Sequence, residues 1–268
     1  MIKKTKILSK TLLALAVTTL STLSVAQSAT GPNKVYVEQV GNTNTVTIEQ
    51  VGGSNNVGGT ALTAANAIDI AGITTVSPSA PSSTNYGTIT GSSNTVAITQ
   101  TGNGNTAMYN LQGNNNAYTS TVTGHGNLTR ITLGDANNAA NLRNVITEAI
   151  TGDNNLVLQS IVGNDITSLV SINGNLNQIT KELKSSNGTS DISITGGSNV
   201  LNIQQIDSAG ANGHYLKEVI AGSFNSITTQ QQGTNDTTVD IRVTGSNNTI
   251  TVRSSSSAIL NPATAIAR

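Results

Sequence analysis

Residues 39–55 read QVGNTNTVTIEQVGGSN, and they contain the rule that most of the chain repeats. Gln39, Gly41 and Asn44 return eleven positions later as Gln50, Gly52 and Asn55. Between the two turns Asn44, Val46, Ile48 and Gln50 share one face of an extended segment, and Thr45, Thr47, Glu49 and Val51 share the other. A period of two inside the segment predicts a β-strand. A period of eleven outside it predicts a repeat architecture.

The Gly-x-x-Asn frame recurs at Gly91/Asn94, Gly102/Asn105, Gly113/Asn116, Gly124/Asn127, Gly152/Asn155, Gly174/Asn177, Gly196/Asn199, Gly222/Asn225 and Gly245/Asn248. Glycine suits a corner because it tolerates positive φ, and Asn is the next most tolerant residue. The segments between corners are apolar at alternate places: Val96/Ile98, Val157 and Ile161, Leu201/Ile203, Val239/Ile241/Val243, Ile250/Val252. The expected fold is all-β: a β-solenoid whose coils of about 22 residues are double arcs (strand, corner, strand, corner). Stacking such coils makes two parallel sheets with a cross-β spacing of about 4.7–4.8 Å. An unpartnered buried amide costs roughly 1–3 kcal/mol. Stacked Asn and Gln side chains, donating to one coil and accepting from the other, remove that cost along a ladder.

Composition points the same way. Aromatic residues are 2% of 268, and Trp and Cys are absent. A compact globular core would lack large side chains, whereas a solenoid needs only a thin interior because each coil packs on the next. Without Cys there are no disulfides, no thiolate chemistry and no Cys-based zinc site. The formal charge is +0 and no basic patch is interleaved with aromatics, so nucleic acid is not an expected partner.

Residues 1–26 read as a secretory signal peptide. Lys3, Lys4, Lys6 and Lys10 form its positive region, Leu12 to Leu20 its apolar region, and Ser24-Val25-Ala26 a small-residue cleavage site. Cleavage after Ala26 removes four of 13 basic residues, leaving nine against 13 acidic ones, a charge of about −4. Residues 27–34 are expected to be an unpaired polar lead, 35–253 the solenoid and 254–268 a tail. Insertions are expected near 56–87, 135–150 and 207–217, placed at corners so that no strand pairing is lost. The first contains Pro78 and Pro81, which do not fit a central strand, and a short helix around Leu62 to Ala71 is expected in it. The final arc, Thr249 to Ser254, has no Pro or Lys cluster to guard it, and an unguarded strand edge is a template for another chain.

The frame Gln-x-Gly-x-x-Asn-x5-Gln, carried by Gln39, Gly41, Asn44 and Gln50, resembles the curlin repeat of curli, the bacterial extracellular amyloid fibres. Gln100, Gly102 and Asn105 match it in part, as do Gln231 and Gly233 with Asn235 nearby. Asn199 to Gln205 reproduces the strand with Asp207 in the place of a glycine, and most other arcs carry Ile, Leu, Val or Thr at the Gln position. The resemblance implies a subunit secreted through a dedicated outer-membrane pore, together with other curlin-type subunits. It implies self-assembly by end-to-end stacking into cell-surface fibres for adhesion and biofilm matrix, on host or abiotic surfaces. A minor, nucleating fibre subunit is the variant of that reading.

Rival readings find less support in the residues. Solenoid enzymes need clustered carboxylates or a basic residue on one face. The acidic residues here are scattered, with Glu38, Glu49, Asp153 and Asp191 expected at outward or corner positions. His125 follows a corner glycine and His214 falls in an insertion, so no catalytic residue is assigned. Calcium-binding nonapeptides need a recurring Asp, and here Asn fills the corner, so no metal or cofactor is assigned. Ice binding would use outward Thr pairs such as Thr45/Thr47 and Thr88/Thr90, which are not expected to stay in phase through successive coils. A monomeric surface adhesin is the main rival, with 56–87 as the candidate binding head.

Overall fold

The computed structural model describes residues 23–27, 31–58, 87–134, 142–184, 187–207, 215–233 and 238–255. Each described segment is strand or corner, and every strand pairing is parallel. The first ten strands are β1 (Leu23–Gln27), β2 (Lys34–Val35), β3 (Val37–Val40), β4 (Thr45–Gly52), β5 (Asn56–Gly58), β6 (Gly87–Thr90), β7 (Thr95–Thr101), β8 (Thr106–Gln112), β9 (Ala117–Thr123) and β10 (Leu128–Leu133). Then come β11 (Val145–Thr151), β12 (Leu156–Val162), β13 (Thr167–Asn173), β14 (Gln178–Lys184), β15 (Thr189–Thr195), β16 (Val200–Asp207), β17 (Tyr215–Ala221), β18 (Ser226–Gly233), β19 (Thr238–Thr244) and β20 (Thr249–Ser255).

The chain winds between two sheets as a β-solenoid. The first sheet runs β1-β4-β7-β9-β11-β13-β15-β17-β19, and the second runs β2-β5-β8-β10-β12-β14-β16-β18-β20, with β3 and β6 continuing the levels of β2 and β5. Equivalent residues of adjoining coils are 22 apart wherever nothing is inserted, as for Asn94 and Asn116 or Asn155 and Asn177. The two-residue period of each strand becomes an inside and an outside. In β4, Val46, Ile48 and Gln50 are buried while Thr47, Glu49 and Val51 are exposed. Because the strands are parallel and in register, each inward residue sits on its equivalent, and β-branched side chains pack well on such a surface. One inward file runs Val57, Ala107, Thr129, Val157, Ile179, Leu201, Ile227 and Ile250.

The interior is as thin as the composition requires, and its two large rings are fitted to it. Tyr109 and Tyr118 are both fully buried with ring centroids 6.4 Å apart. Tyr109 is accommodated because its neighbour in the file is Gly87, where any Cβ would overlap the phenol ring. Burial pushes the Tyr109 hydroxyl well above the ordinary range.

Four boundaries differ from expectation. Residues near 27–34 are paired rather than free: Gln27 closes β1, which pairs with β4 from Leu23↔Ile48 to Gln27↔Gly52, and Lys34 opens β2. The first insertion lies in the middle of a strand and not at a corner. Asn56–Gly58 and Gly87–Thr90 dock on the two halves of the same strand β8, so the second sheet closes up again around the excursion. The ranges 135–150 and 207–217 contain the starts of regular strands, β11 at Val145 and β17 at Tyr215. The expected helix at Leu62 to Ala71, His214, the first 22 residues and the tail from Ser256 lie outside the described residues.

Candidate functional site: the corner files and the open ends

Every coil turns twice, and the two corners are built differently. The first corner carries the chain from the first sheet to the second. It reads Gly-x-x-Asn at Gly52/Asn55, Gly102/Asn105, Gly124/Asn127, Gly152/Asn155, Gly174/Asn177, Gly196/Asn199, Gly222/Asn225 and Gly245/Asn248. Gly102 shows why glycine is needed: φ is +115°, and a Cβ there would overlap the carbonyl oxygen of Gly124 in the following coil. The third residue of each corner is left-handed, whether it is Gly104 (+69°), Asn154 (+55°) or the less suited Leu176 (+59°) and Phe224 (+58°).

The Asn side chains of the first corner stack in one unbroken file from Asn33 through Asn55, Asn105, Asn127, Asn155, Asn177, Asn199 and Asn225 to Asn248. From Asn105 to Asn248 the bonding is the same at each step. Asn105 donates through Nδ2 to the Gly124 carbonyl (2.8 Å), while its Oδ1 accepts both the backbone N–H (3.0 Å) and Nδ2 (3.1 Å) of Asn127. A shorter outer file follows the corner glycines. Asn103 N–H donates to His125 Nδ1 (3.1 Å), His125 N–H to Asp153 Oδ1 (2.7 Å), and Asp153 N–H to Asn175 Oδ1 (2.7 Å). His125 and Asp153 are therefore corner-building residues.

The second corner starts with the same chemistry and loses it. Asn44, Asn94, Asn116 and Asn144 form a file, but the next position is Ile166, which contributes only its backbone N–H to Asn144 Oδ1 (2.9 Å). The corners at Asn144 and Ile166 are instead joined by an exposed bidentate ion pair, Arg143 to Asp165 at 2.6 Å for each bond, which holds the Asp165 carboxyl below its ordinary range. Beyond Ile166 the Asn place is taken by Gly188.

Glutamine contributes less than expected. Gln50 Nε2 donates to Gln100 Oε1 (2.8 Å), but Gln39 is exposed on the first level of the second sheet with Ile89 above it, so no Gln ladder runs down the described coils. Gln205 is buried between Leu183 and Gln231 in register, and Gly233 pairs with Asp207. The outward Thr pairs fall out of phase, as expected: Thr47 faces Ala97, and Thr88 and Thr90 face Asn110 and Gln112, while Thr101, Thr123 and Thr151 share a short file that Asn173 ends.

The residues that the sequence reading missed lie inside. Glu148, Lys181 and Glu218 are completely buried, not outward or at corners. Glu148 and Lys181 are linked by a polar chain through the middle coils. Tyr118 Oη donates to Glu148 Oε2 (2.8 Å), Gln159 Nε2 to Glu148 Oε1 (2.6 Å), Ser168 Oγ to Gln159 Oε1 (2.8 Å) and Lys181 Nζ to Ser168 Oγ (2.7 Å). Nearby, Thr229 donates to Glu218 Oε1 at 2.6 Å. Burial brings Lys181 down to about 7 against the opposing pull of Glu218, Glu148 and Asp191. Burial likewise raises Glu218 to about 7, against its bond from Thr229 and the charge of Lys181, and raises Glu148. The signal was present in the phase of the repeat. Glu148, Gln159, Lys181 and Thr229 each follow a corner Asn by four places, the spacing of inward Ile48 from Asn44.

Among the described residues the first-corner file ends at Asn248, with no further coil stacked on it. Asn248 donates back to Asn225 (3.1 Å), and no described coil lies beyond it. A Cβ on Gly245 would meet only Asn248 Nδ2 at 3.7 Å, whereas at Gly222 it would overlap the carbonyl of the coil beyond. No family model matches the chain, and no curated protein or solved structure shows significant similarity to it.

Proposed function

We propose that this chain is an exported structural subunit that stacks end to end on copies of itself, forming curli-like extracellular fibres for adhesion and biofilm matrix. The observation that carries the reading is the corner Gly245 to Asn248, on which no described coil stacks. It presents the groups that earlier coils of the first corner bond to their successors: an Asn Nδ2, an Asn Oδ1 and forward-facing backbone donors. A second copy satisfies them with the contacts already used within one chain, and a head-to-tail contact of that kind does not close on itself. The lysine-rich, then apolar stretch ending at Ala26 supports export, with a dedicated outer-membrane pore and related subunits as its partners.

The test is seeded assembly of purified protein, followed by fibre diffraction. Extending filaments with a meridional reflection near ~4.7 Å are expected. A protein that stays monomeric at high concentration, with no such reflection, favours the monomeric adhesin. Val46→Lys or Ile48→Lys places a charge in a buried file without a partner and is expected to abolish growth.

A further inference from the structure

The two sheets of the exported chain differ in their number of levels. Cleavage after Ala26 takes away four of the five residues of β1. The first sheet then keeps eight of its nine strands, β4 to β19, against nine levels in the second, β2–β3 to β20. Both ends of the exported solenoid therefore lie on the second sheet. Identical copies continue one solenoid only if each adds the same number of levels to both sheets. If β2–β3 of one copy is laid on β20 of another, β19 and β4 are left two spacings apart, about 9–10 Å, with facing backbone groups unpaired. The residues after Ser255 carry Pro262, which offers no donor to a central ladder that might fill this gap.

Both sheets close if β19 pairs with β4 of the next copy and β20 takes the level of β2–β3. Charge favours that arrangement. The outward file of the first sheet begins at Glu49 and ends at Arg242, and it passes only Thr, Ala, Ser and Val between them. Both end residues are exposed, and Arg242 reaches only as far as Asp240 of its own strand, at 3.4 Å. Laying β19 on β4 sets Arg242 beside Glu49. The level that yields is also the weakest: β2–β3 has six residues broken at Tyr36, with Lys34, Glu38, Gln39 and Val40 exposed, while β20 is seven residues without a break. Its partners accept β20 unchanged. Ile250 belongs to the file of Val57 and takes the place of Val35, and Asn248 takes the place of Asn33, whose Oδ1 accepts the Asn55 N–H at 2.9 Å.

We infer that exported copies join by strand exchange: β19 of one lies on β4 of the next, with Arg242 beside Glu49, and β20 displaces β2–β3 from β5 and β6. The inference rests on the end-to-end reading above, with cleavage after Ala26, and names its contact. Each copy then adds eight coils to the filament, about 38 Å, rather than nine coils and about 43 Å. The Asn file of the first corner continues across the joint from Asn248 to Asn55 of the next copy.

Chains beginning at Gln27 test the joint, and because the protein has no cysteine, pairs can be introduced cleanly. In the double variant Glu49→Cys, Arg242→Cys the two positions of one chain are seven strand spacings apart, about 34 Å, so only a neighbouring copy can supply the partner. Oxidised filaments of this variant should dissolve in denaturant as a ladder of covalent multimers. The variant Glu38→Cys, Arg253→Cys instead pairs positions that would meet if β2–β3 lay on β20, and it should dissolve as monomers. Val37→Pro weakens the level that must be displaced, so seeded elongation should be as fast as that of the parent or faster. Filaments that leave the first pair unlinked, that link the second, or that elongate tenfold more slowly with Val37→Pro overturn the exchange while leaving end-to-end assembly standing. If the parent chain forms no filaments, the assembly reading falls and the exchange falls with it.

Discussion

The two corners of a coil do the same job with different tolerance. At the first corner an Asn file runs without a break from Asn33 to Asn248, and every glycine from Gly52 to Gly245 keeps its place. At the second, the file ends at Asn144 and Ile166 fills the next place. Gly163 is followed 22 residues later by Ser185, and extra residues accumulate on that side, at 135–141 and 208–214. The difference teaches where specification resides. A file bonded in both directions fixes the length of every arc that ends on it, because one extra residue would misplace an amide for two coils. Once the file is lost, the backbone ladder still joins the coils, and the corner is free to lengthen.

The largest test of that difference is a methyl group. Gly152→Ala at the first corner introduces a Cβ into the Gly174 carbonyl at a φ of +126°, and it should cost on the order of 3 kcal/mol. Gly104→Ala has a φ of +69° and open space around its Cβ, so about 1 kcal/mol is expected. Urea midpoints measure both. Equal losses would show that φ alone decides the corner and that stacking does not.

Next comes the file itself. Asn155→Ala removes a side chain that donates to Gly174 O (2.8 Å) and to Asn127 Oδ1 (3.0 Å) and accepts from Asn177, leaving buried groups on both sides unpaired. A loss of ~2–3 kcal/mol is expected. Asn144→Ala stands at the end of the short file, with only a backbone donor above it, and should lose ~1 kcal/mol less. Thermal melting of the two variants checks the order, and a reversed order would refute the account of the corners.

Much of this is legible in the residues alone. The eleven-residue phase locates the strands, their buried faces and the corner glycines, because a parallel in-register stack converts sequence period directly into contact. Departures from the period are harder to read. A 28-residue excursion at 59–86 looks like a corner insertion, since nothing in Gly58 or Gly87 says that both flank the same strand. The inward Glu148 and Lys181 run against the expectation of outward charge, although counting four from Asn144 and Asn177 places them inside. Composition argues against buried charge, and only their shared chain of hydrogen bonds explains why it is tolerated.

That buried chain separates the middle coils from the ends and gives them an unusual pH response. For Glu218, raised to about 7 from 4.5, the folded state holds its proton more tightly, so the associated stability is full below pH 4.5 and is lost as pH rises to 7. For Lys181, lowered to about 7 from 10.5, stability is full above pH 10.5 and is lost as pH falls to 7. Both penalties coincide near neutrality. The melting temperature of the monomer should pass through a minimum near pH 7 and rise by on the order of 5 °C toward pH 5. Glu218→Gln should flatten the acid side of the curve. A melting temperature that falls steadily from pH 7 to 5 in the parent protein would mean that the interior does not titrate in this way.

The smallest effect distinguishes residues within the first corner. Its third position is left-handed in every coil, which suits Gly and Asn and strains a residue with a larger side chain. Gly104, Gly126 and Asn154 meet that demand, while Leu176 and Phe224 adopt φ of 59° and 58° without a packing return, being 59% and 64% exposed. Neither side chain is held in the interior, so replacing it sacrifices little apolar burial. Leu176→Gly and Phe224→Gly should each stabilise the solenoid by ~0.5–1 kcal/mol, relief of backbone strain outweighing the extra freedom of glycine in the unfolded chain. Asn187→Gly, at φ 58° on the second corner, is the control and should change stability by no more than a few tenths of a kcal/mol, because Asn already tolerates the conformation. Urea midpoints of the three variants separate strain from exposure: a gain at Asn187 equal to that at Leu176 would show that glycine acts there by something other than the strain of the side chain it replaces.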